Sequence, residues 1–583
     1  MLHEDILILR GMKEGIFMKK MIEKISNIKG NKHIFKFIIA ITALLIVIAI
    51  SLLILFNVNN STSFNLPERK GDVLYPNRDE KYKDKLIIGA GDLIGSFDAI
   101  TASASGDKVA AGILYESLLT YDVSGKPVNC LAENYDIKNN GKTYVFTLKK
   151  GVVFSDGTPL TAEDVRNNYL ALSNVLYLAD SVYNCLYDLE DFSSDDSNGI
   201  EIVDDMTISF TFKQTRASNI QLFTLGIQKS SFLNEMFSGN GTQEIPLSSY
   251  IGTGPYKISS GSFNQRSVEM TVNENYHGTK PNIKDITLIA SDVLSAEGLF
   301  KNGELDITDF IYTERGLDIL ENNSYVSLYS TPGALTNYVG INCKHELLSD
   351  VNIRKAMAKA IDTKSIINEI YKGYATVSAY PYNGAFYGNP SNSFHKLDVS
   401  GAEKLLSKSG YNKGTDGICE KDGKKLSFKL DIYNSSQIHE IAEMIKQDLN
   451  KIGIEIEVVP HQYQELVDKV FTRNSFDLYF MTWEEGIWPD ITRRFGKTED
   501  GQNPEGWFDD ALLDLVGKAE IETDIGKLKT YLQEIAKRYS DEVPQIPIAT
   551  PKNMIMASSA LKGLKPSPYL SIYWNIEEFN MAK

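Results

Sequence analysis

The closest approach to a metal centre in this sequence is His439-Glu440-Ile441-Ala442-Glu443. A zinc site of the H-E-x-x-H kind needs two imidazoles one helical turn apart, and Glu443 stands where the second would be. Ile438, Ile441, Ala442, Ile445, Leu449 and Ile452 share one helical face, which assigns this helix to packing against a sheet. His277, His345, His395 and His461 stand alone, without a third ligand or a nucleophile at a recognisable spacing. Gly89, Gly91 and Gly95 lack the spacing of G-x-G-x-x-G, so no dinucleotide loop is expected. Asp156, Glu163 and Asp164 have the right chemistry for acid–base work, but Asp156-Gly157 reads as a turn. Thr161 and Asp164 read as a helix N-cap with its reciprocal partner. What remains is recognition rather than bond-breaking: no enzyme, no cofactor and no metal site is expected.

The elements that must position any binding residues follow from periodicity. Lys85–Ala90 is a short apolar strand and Val109–Leu119 a helix. Tyr144–Leu148 alternates as a strand, and Ile200–Phe212 as a hairpin around Asp204-Asp205. A β-α-β unit is expected from Leu426–Tyr433, Gln437–Ile452 and Ile454–Val459. In the run GTGPYKISSGSFNQRSVEMTVNENYHGTKPNI from Gly252, Gly252 and Gly254 are read as supplying permissive dihedrals and Pro255 as fixing φ.

That run resembles the signature of the extracellular solute-binding proteins of ABC peptide importers, family 5. Three further blocks share the resemblance in the same order: Gly141–Val165, Ser349–Asp362 and Gly401–Tyr411. It extends from about Lys85 to the C-terminus. It implies an α/β fold of the periplasmic-binding-protein type, class II, with two large lobes, a hinge and a small third lobe, preceded here by one transmembrane helix. The expected organisation is a basic N-terminus at 1–36, a membrane helix at 37–58 and a tether at 59–84. Lobe I comprises 85–119, 199–337 and 545–583, the small lobe II comprises 120–198, and lobe III comprises 338–544.

The resemblance also implies where a solute sits, enclosed between the large lobes. Its peptide-binding members present an acidic residue to the peptide ammonium from a W-x-x-D-x-x-x-P loop. Here that loop is Trp483-Glu484-Glu485-Gly486-Ile487-Trp488-Pro489, with Gly486 at the aspartate position and the proline one residue early. Glu484 or Glu485 then supplies the anion, and Trp483 and Trp488 offer flat apolar or cation–π faces. Phe97 and Asp98 lie in a loop that resembles the one approaching ligand from lobe I. The ligand-binding set is thus Phe97, Asp98, Trp483, Glu484, Glu485, Gly486 and Trp488.

Charge and hydropathy place the chain. The formal net charge is −16, while residues 1–36 carry eight Lys/Arg against four acids, so the body is more acidic still. Such a body repels nucleic acid. Phe37–Val58 is a run of 22 uncharged residues, long enough to span a hydrocarbon core of about 30 Å; a cleaved signal segment is the rival reading. The basic flank predicts the N-terminus inside and the body outside the cell. The first cysteine is Cys130, so the lipid-anchoring cysteine usual in relatives from single-membrane bacteria is absent, and the helix itself is the expected anchor. The four cysteines are even in number, which leaves one or two disulfides open. The expected partners are a peptide ligand, ABC permease subunits and the membrane, with a monomeric body. A peptide-responsive sensor and a binder of nickel or another solute are the alternatives.

Overall fold

The computed structural model describes residues 85–582 except 94, 103, 173–185, 187–188, 190–198, 234–245, 263–266, 311–313, 324, 378–395, 485–486, 489–490 and 498–502. The expected membrane helix at 37–58 and tether at 59–84 lie outside these residues. Among the described residues no helix is long and apolar enough to cross a membrane.

Strand β1 (Lys85–Gly89) buries Leu86 and Ile88, and it leads into helix α1 (Ser105–Leu114). The glycines of the Gly252 run close on the end of that helix. Neither has a positive φ. A Cβ at Gly252 would lie 2.1 Å from the Leu114 carbonyl oxygen, and one at Gly254 2.4 Å from that of Ile113. Close backbone approach, not dihedral freedom, is therefore what requires glycine here. The amide of Gly254 donates to the Leu114 carbonyl at 2.9 Å, and Asn273 Nδ2 donates to the Gly254 carbonyl at 2.9 Å.

A two-stranded hairpin, β2 (Leu119–Tyr121) and β3 (Pro127–Asn129), precedes a small sheet. That sheet contains β4 (Ala132–Lys138), β5 (Thr143–Leu148), β6 (Ile200–Asp204) and β7 (Thr207–Thr211), in the order β4-β5-β7-β6. The alternation expected at Tyr144–Leu148 is present, with Tyr144, Phe146 and Leu148 all buried. The hairpin at 200–211 forms, but it does not return to the first lobe: β7 pairs with β5 from Thr143↔Thr211 to Thr147↔Thr207. Its apolar face, Ile208 and Phe210, matches the aromatic face of β5, and a local pattern gives no sign of which sheet such a hairpin joins. Helix α2 (Ala162–Leu172) begins with the expected reciprocal cap, the Thr161 amide donating to Asp164 Oδ2 at 3.1 Å.

The large sheet has twelve strands. One half contains β8 (Tyr256–Ser262), β9 (Ser267–Val272), β10 (Asp285–Ile289), β1, β11 (Ile307–Asp309) and β12 (Val326–Pro332). The other contains β13 (Leu335–Ile341) with a β-α-β unit made of β14 (Ser427–Tyr433), helix α3 (Ser436–Lys451) and β15 (Glu455–His461), followed by β16 (Leu478–Glu484). Strands β14 and β15 are parallel, as a helical crossover demands. All six apolar residues assigned to the sheet-facing side of α3 and its end are buried, each isoleucine or leucine among them contributing roughly 1.5–3 kcal/mol.

Helices α4 (Ile491–Phe495), α5 (Asp510–Glu520) and α6 (Ile525–Glu542) lead to the last long strand, β17 (Gln545–Ser558), which joins the two halves. Its first residues pair with β13, and Lys552–Ser558 pair with β12. The two halves meet at Gly333, where a Cβ would lie 2.0 Å from the Pro551 carbonyl oxygen. The small sheet shares one apolar core with α5 and α6 through Phe210, Leu222, Leu512, Leu528 and Leu532. An Arg216–Glu520 ion pair reinforces that contact.

Candidate functional site

Strand β16 ends at the junction of the half-sheets because Trp483 pairs with Thr336 and Glu484 with Leu335, just after Gly333. The Trp483 ring faces the guanidinium of Arg494 on α4, whose carbon lies 4.7 Å from the ring centroid. Arg494 is only 1 % exposed. Beneath it Glu505, fully buried, accepts from Tyr479 Oη at 2.6 Å and Gln545 Nε2 at 2.7 Å. Burial pushes the Glu505 carboxyl above the ordinary glutamate range, against the hydrogen bonds from Tyr479 and Gln545 and the charge of Arg494. Trp483 thus rests on an internal polar network, while Glu484 is exposed.

The remaining residues of the sequence-derived set are dispersed. Trp488 is 5 % exposed, and its indole N–H donates to Tyr121 Oη on β2 at 3.1 Å, so the ring is packed rather than open. Glu485 and Gly486 lie outside the described residues. Phe97 is fully buried, edge-on to Tyr250 with ring centroids 5.6 Å apart. The carboxylate of Asp98 accepts from the amides of Ile100 (2.9 Å) and Thr101 (2.6 Å), from Ser96 Oγ (2.8 Å) and from Thr101 Oγ1. Its oxygens organise their own loop.

Two cavities were not read from sequence. One, of about 460 Å³, surrounds Trp488 between the β2–β3 hairpin and the start of α6, lined by Lys126, Tyr135 and Asp524 among others. The other, also about 460 Å³, lies on β11, β12 and β17 beside the junction and is covered by the segment 566–572. Asp309, Ile555 and Tyr329 form one row across its floor, since Ile555 pairs with both of the others. Thr331 and Asn553 form the next row on the same face. The signal for it was present in Ile307-Thr308-Asp309: strand alternation puts a carboxylate on the same face as a buried isoleucine.

Histidine chemistry gains partners that sequence did not reveal. His461 Nε2 lies 2.7 Å from Asp431 Oδ1, which also receives Lys469 Nζ at 2.7 Å; His277 Nε2 lies 2.9 Å from Glu116 Oε2. Both are close hydrogen-bonding contacts between an imidazole and a carboxylate. Among the described residues no group of three or more His, Cys, Asp or Glu is arranged to hold a metal ion. Cys130, Cys343 and Cys419 are free thiols, and Cys185 lies outside the described residues. Burial pushes the thiols of Cys130 and Cys343 up to about 12, which keeps them protonated and unreactive.

The chain is 25% identical over 517 residues to the oligopeptide-binding protein AppA of Bacillus subtilis, covering 85% of this chain and 92% of that one. It is 24% identical over 477 residues to the nickel-binding periplasmic protein of Escherichia coli, covering 79% and 88%. The structure of AppA in complex with a nonapeptide superposes with a TM-score of 0.61 at 23% identity, over 86% of this chain and 99% of that one, and shows the shared fold. A sequence profile of the bacterial extracellular solute-binding proteins, family 5 middle region, matches residues 126–497. With well over half of its length inside that match, and relatives that bind solutes rather than transform them, the chain belongs to the bacterial extracellular solute-binding proteins of family 5.

Proposed function

We propose that this chain is the receptor of an ABC importer, a monomer that encloses an oligopeptide between its two large lobes and delivers it to the permease. Residues 37–58 anchor it in the membrane, residues 59–84 form the tether, and the folded body faces outward. The observation that carries the reading is the junction: two half-sheets are joined by the β12–β13 link at Gly333 and by β17, with a cavity of about 460 Å³ beside them. A joint this narrow suits hinge closure, and ligand that prefers the closed form supplies the signal to the permease. Glu484 or Glu485 holds the peptide ammonium, and Trp483, Gly486, Trp488 and the Phe97–Asp98 loop complete the surroundings of the solute.

One experiment tests both parts. Trypsin added to intact cells should release the body by cutting at Arg69 or Lys70, and the released body should contract on addition of a peptide mixture, read as a smaller radius of gyration. A mature chain that begins after Val58 in untreated cells would sink the anchor. A body that neither binds nor contracts with peptides, yet binds a nickel–histidine complex, would replace the peptide by a metal chelate.

A further inference from the structure

We infer that Asp309 anchors a subsite for a positively charged group of the solute, either a terminal ammonium or a basic side chain. The inference rests on the solute-receptor reading above, and it adds a second acidic position, on the half-sheet opposite the β16 loop.

Asp309 ends β11 in the floor of the junction cavity, side by side with Ile555 and Tyr329. Its carboxylate is open to the cavity, and among the described residues no hydrogen bond or ion pair engages it. Asp309 is itself exposed, and the protein around the cavity raises its carboxyl above the ordinary aspartate range by desolvation alone. A neighbouring cation would have drawn that value down. The negative charge is felt by Tyr573 behind the covering segment, whose hydroxyl is pushed far up by burial first and by Asp309 second. Lys552, the other charged lining residue, stands three residues along β17 from Ile555, and among the described residues it forms no ion pair with Asp309. The cavity therefore presents one unneutralised carboxylate among Tyr329, Leu570 and Ile572, with Asn553 and Ser567 as neutral hydrogen-bonding groups. A partly desolvated carboxylate with no internal partner gains most from an ammonium or guanidinium, which it meets with charge-assisted hydrogen bonds. A volume of about 460 Å³ is in the range of small-ligand sites.

The test is calorimetry on the full chain with four probes: tri-alanine, N-acetyl-tri-alanine, N-acetyl-Ala-Lys-Ala and spermidine. At least one amine-bearing probe should bind, and Asp309→Asn should weaken it by about tenfold to a hundredfold, the scale of a hydrogen bond to a charged group, while leaving N-acetyl-tri-alanine unchanged. Loss confined to tri-alanine assigns the terminal ammonium; loss of N-acetyl-Ala-Lys-Ala assigns a basic side chain. Asp309→Glu should keep the preference for amines, which separates charge recognition from misfolding. Amine binding that Asp309→Asn leaves intact, or no binding of any amine, overturns the inference. If spermidine binds through Asp309 and no peptide does, the anchor stands and the peptide reading of the previous section falls.

Discussion

Asp98, in the loop of residues 96–101, and Asp309, at the end of β11, are both aspartates in the same half of the molecule, and they are used in opposite ways. Asp98 is 1 % exposed and takes donors from two amides and two hydroxyls of its own loop. Asp309 faces a cavity and takes none among the described residues. The accepting capacity of the first is taken up by the loop it organises, and little is left for anything else. The second has its whole accepting capacity in reserve. Which acid recognises a solute is therefore decided by hydrogen-bond accounting rather than by whether the residue sits in a loop or a strand.

The contrast can be broken by mutation. Asp98→Ala should cost about 2–4 kcal/mol in urea unfolding, because four partly buried donors lose their acceptor at once. A cost below about 1 kcal/mol would mean that the loop is held by Phe97 against Tyr250 and not by the carboxylate. Glu505 supplies the intermediate case, since it is buried and accepts two hydrogen bonds yet has its carboxyl raised. A carboxyl raised in the folded state binds its proton more tightly there, so it favours the fold at low pH and loses that benefit as pH rises beyond the ordinary glutamate range. Glu505→Gln keeps an acceptor for Tyr479 and Gln545 without titrating. Its stability relative to the parent should rise between pH 4 and pH 8; a flat or falling difference would show Arg494 holding Glu505 ionised. Asp309→Ala should change stability least, within about 0.5 kcal/mol, while abolishing the amine preference. A large loss of stability there would make Asp309 a structural residue and erase the comparison.

Local signals in the sequence were read well where one element explains itself. The face of α3, the Thr161–Asp164 cap and the turn between β6 and β7 each depend on residues a few positions apart. What stayed hidden depends on partners far along the chain. The hairpin of β6 and β7 joined the small sheet through β5, and Trp488 was buried by Tyr121. The sequence suggests permissive dihedrals at Gly252 and Gly254, but what requires glycine there is the end of α1 pressing on them and not their own dihedrals. The cavity row of residues 309, 329 and 555 has the same character, since its three members come from strands far apart along the chain.

The position of β17 between the two half-sheets also sets an order of assembly. Until residues 545–558 arrive, β13 lacks one neighbour and β11 and β12 lack another, so both halves carry an unpaired edge at the same moment. Neither half can be finished before the other begins to close, because a single strand completes both. Pairing of such high sequence separation is slow. During that interval the open edges are the places where two nascent chains would pair with each other. A chaperone that delayed folding would protect this protein most by covering β13 and β11, and a truncation before residue 545 would leave both edges exposed permanently.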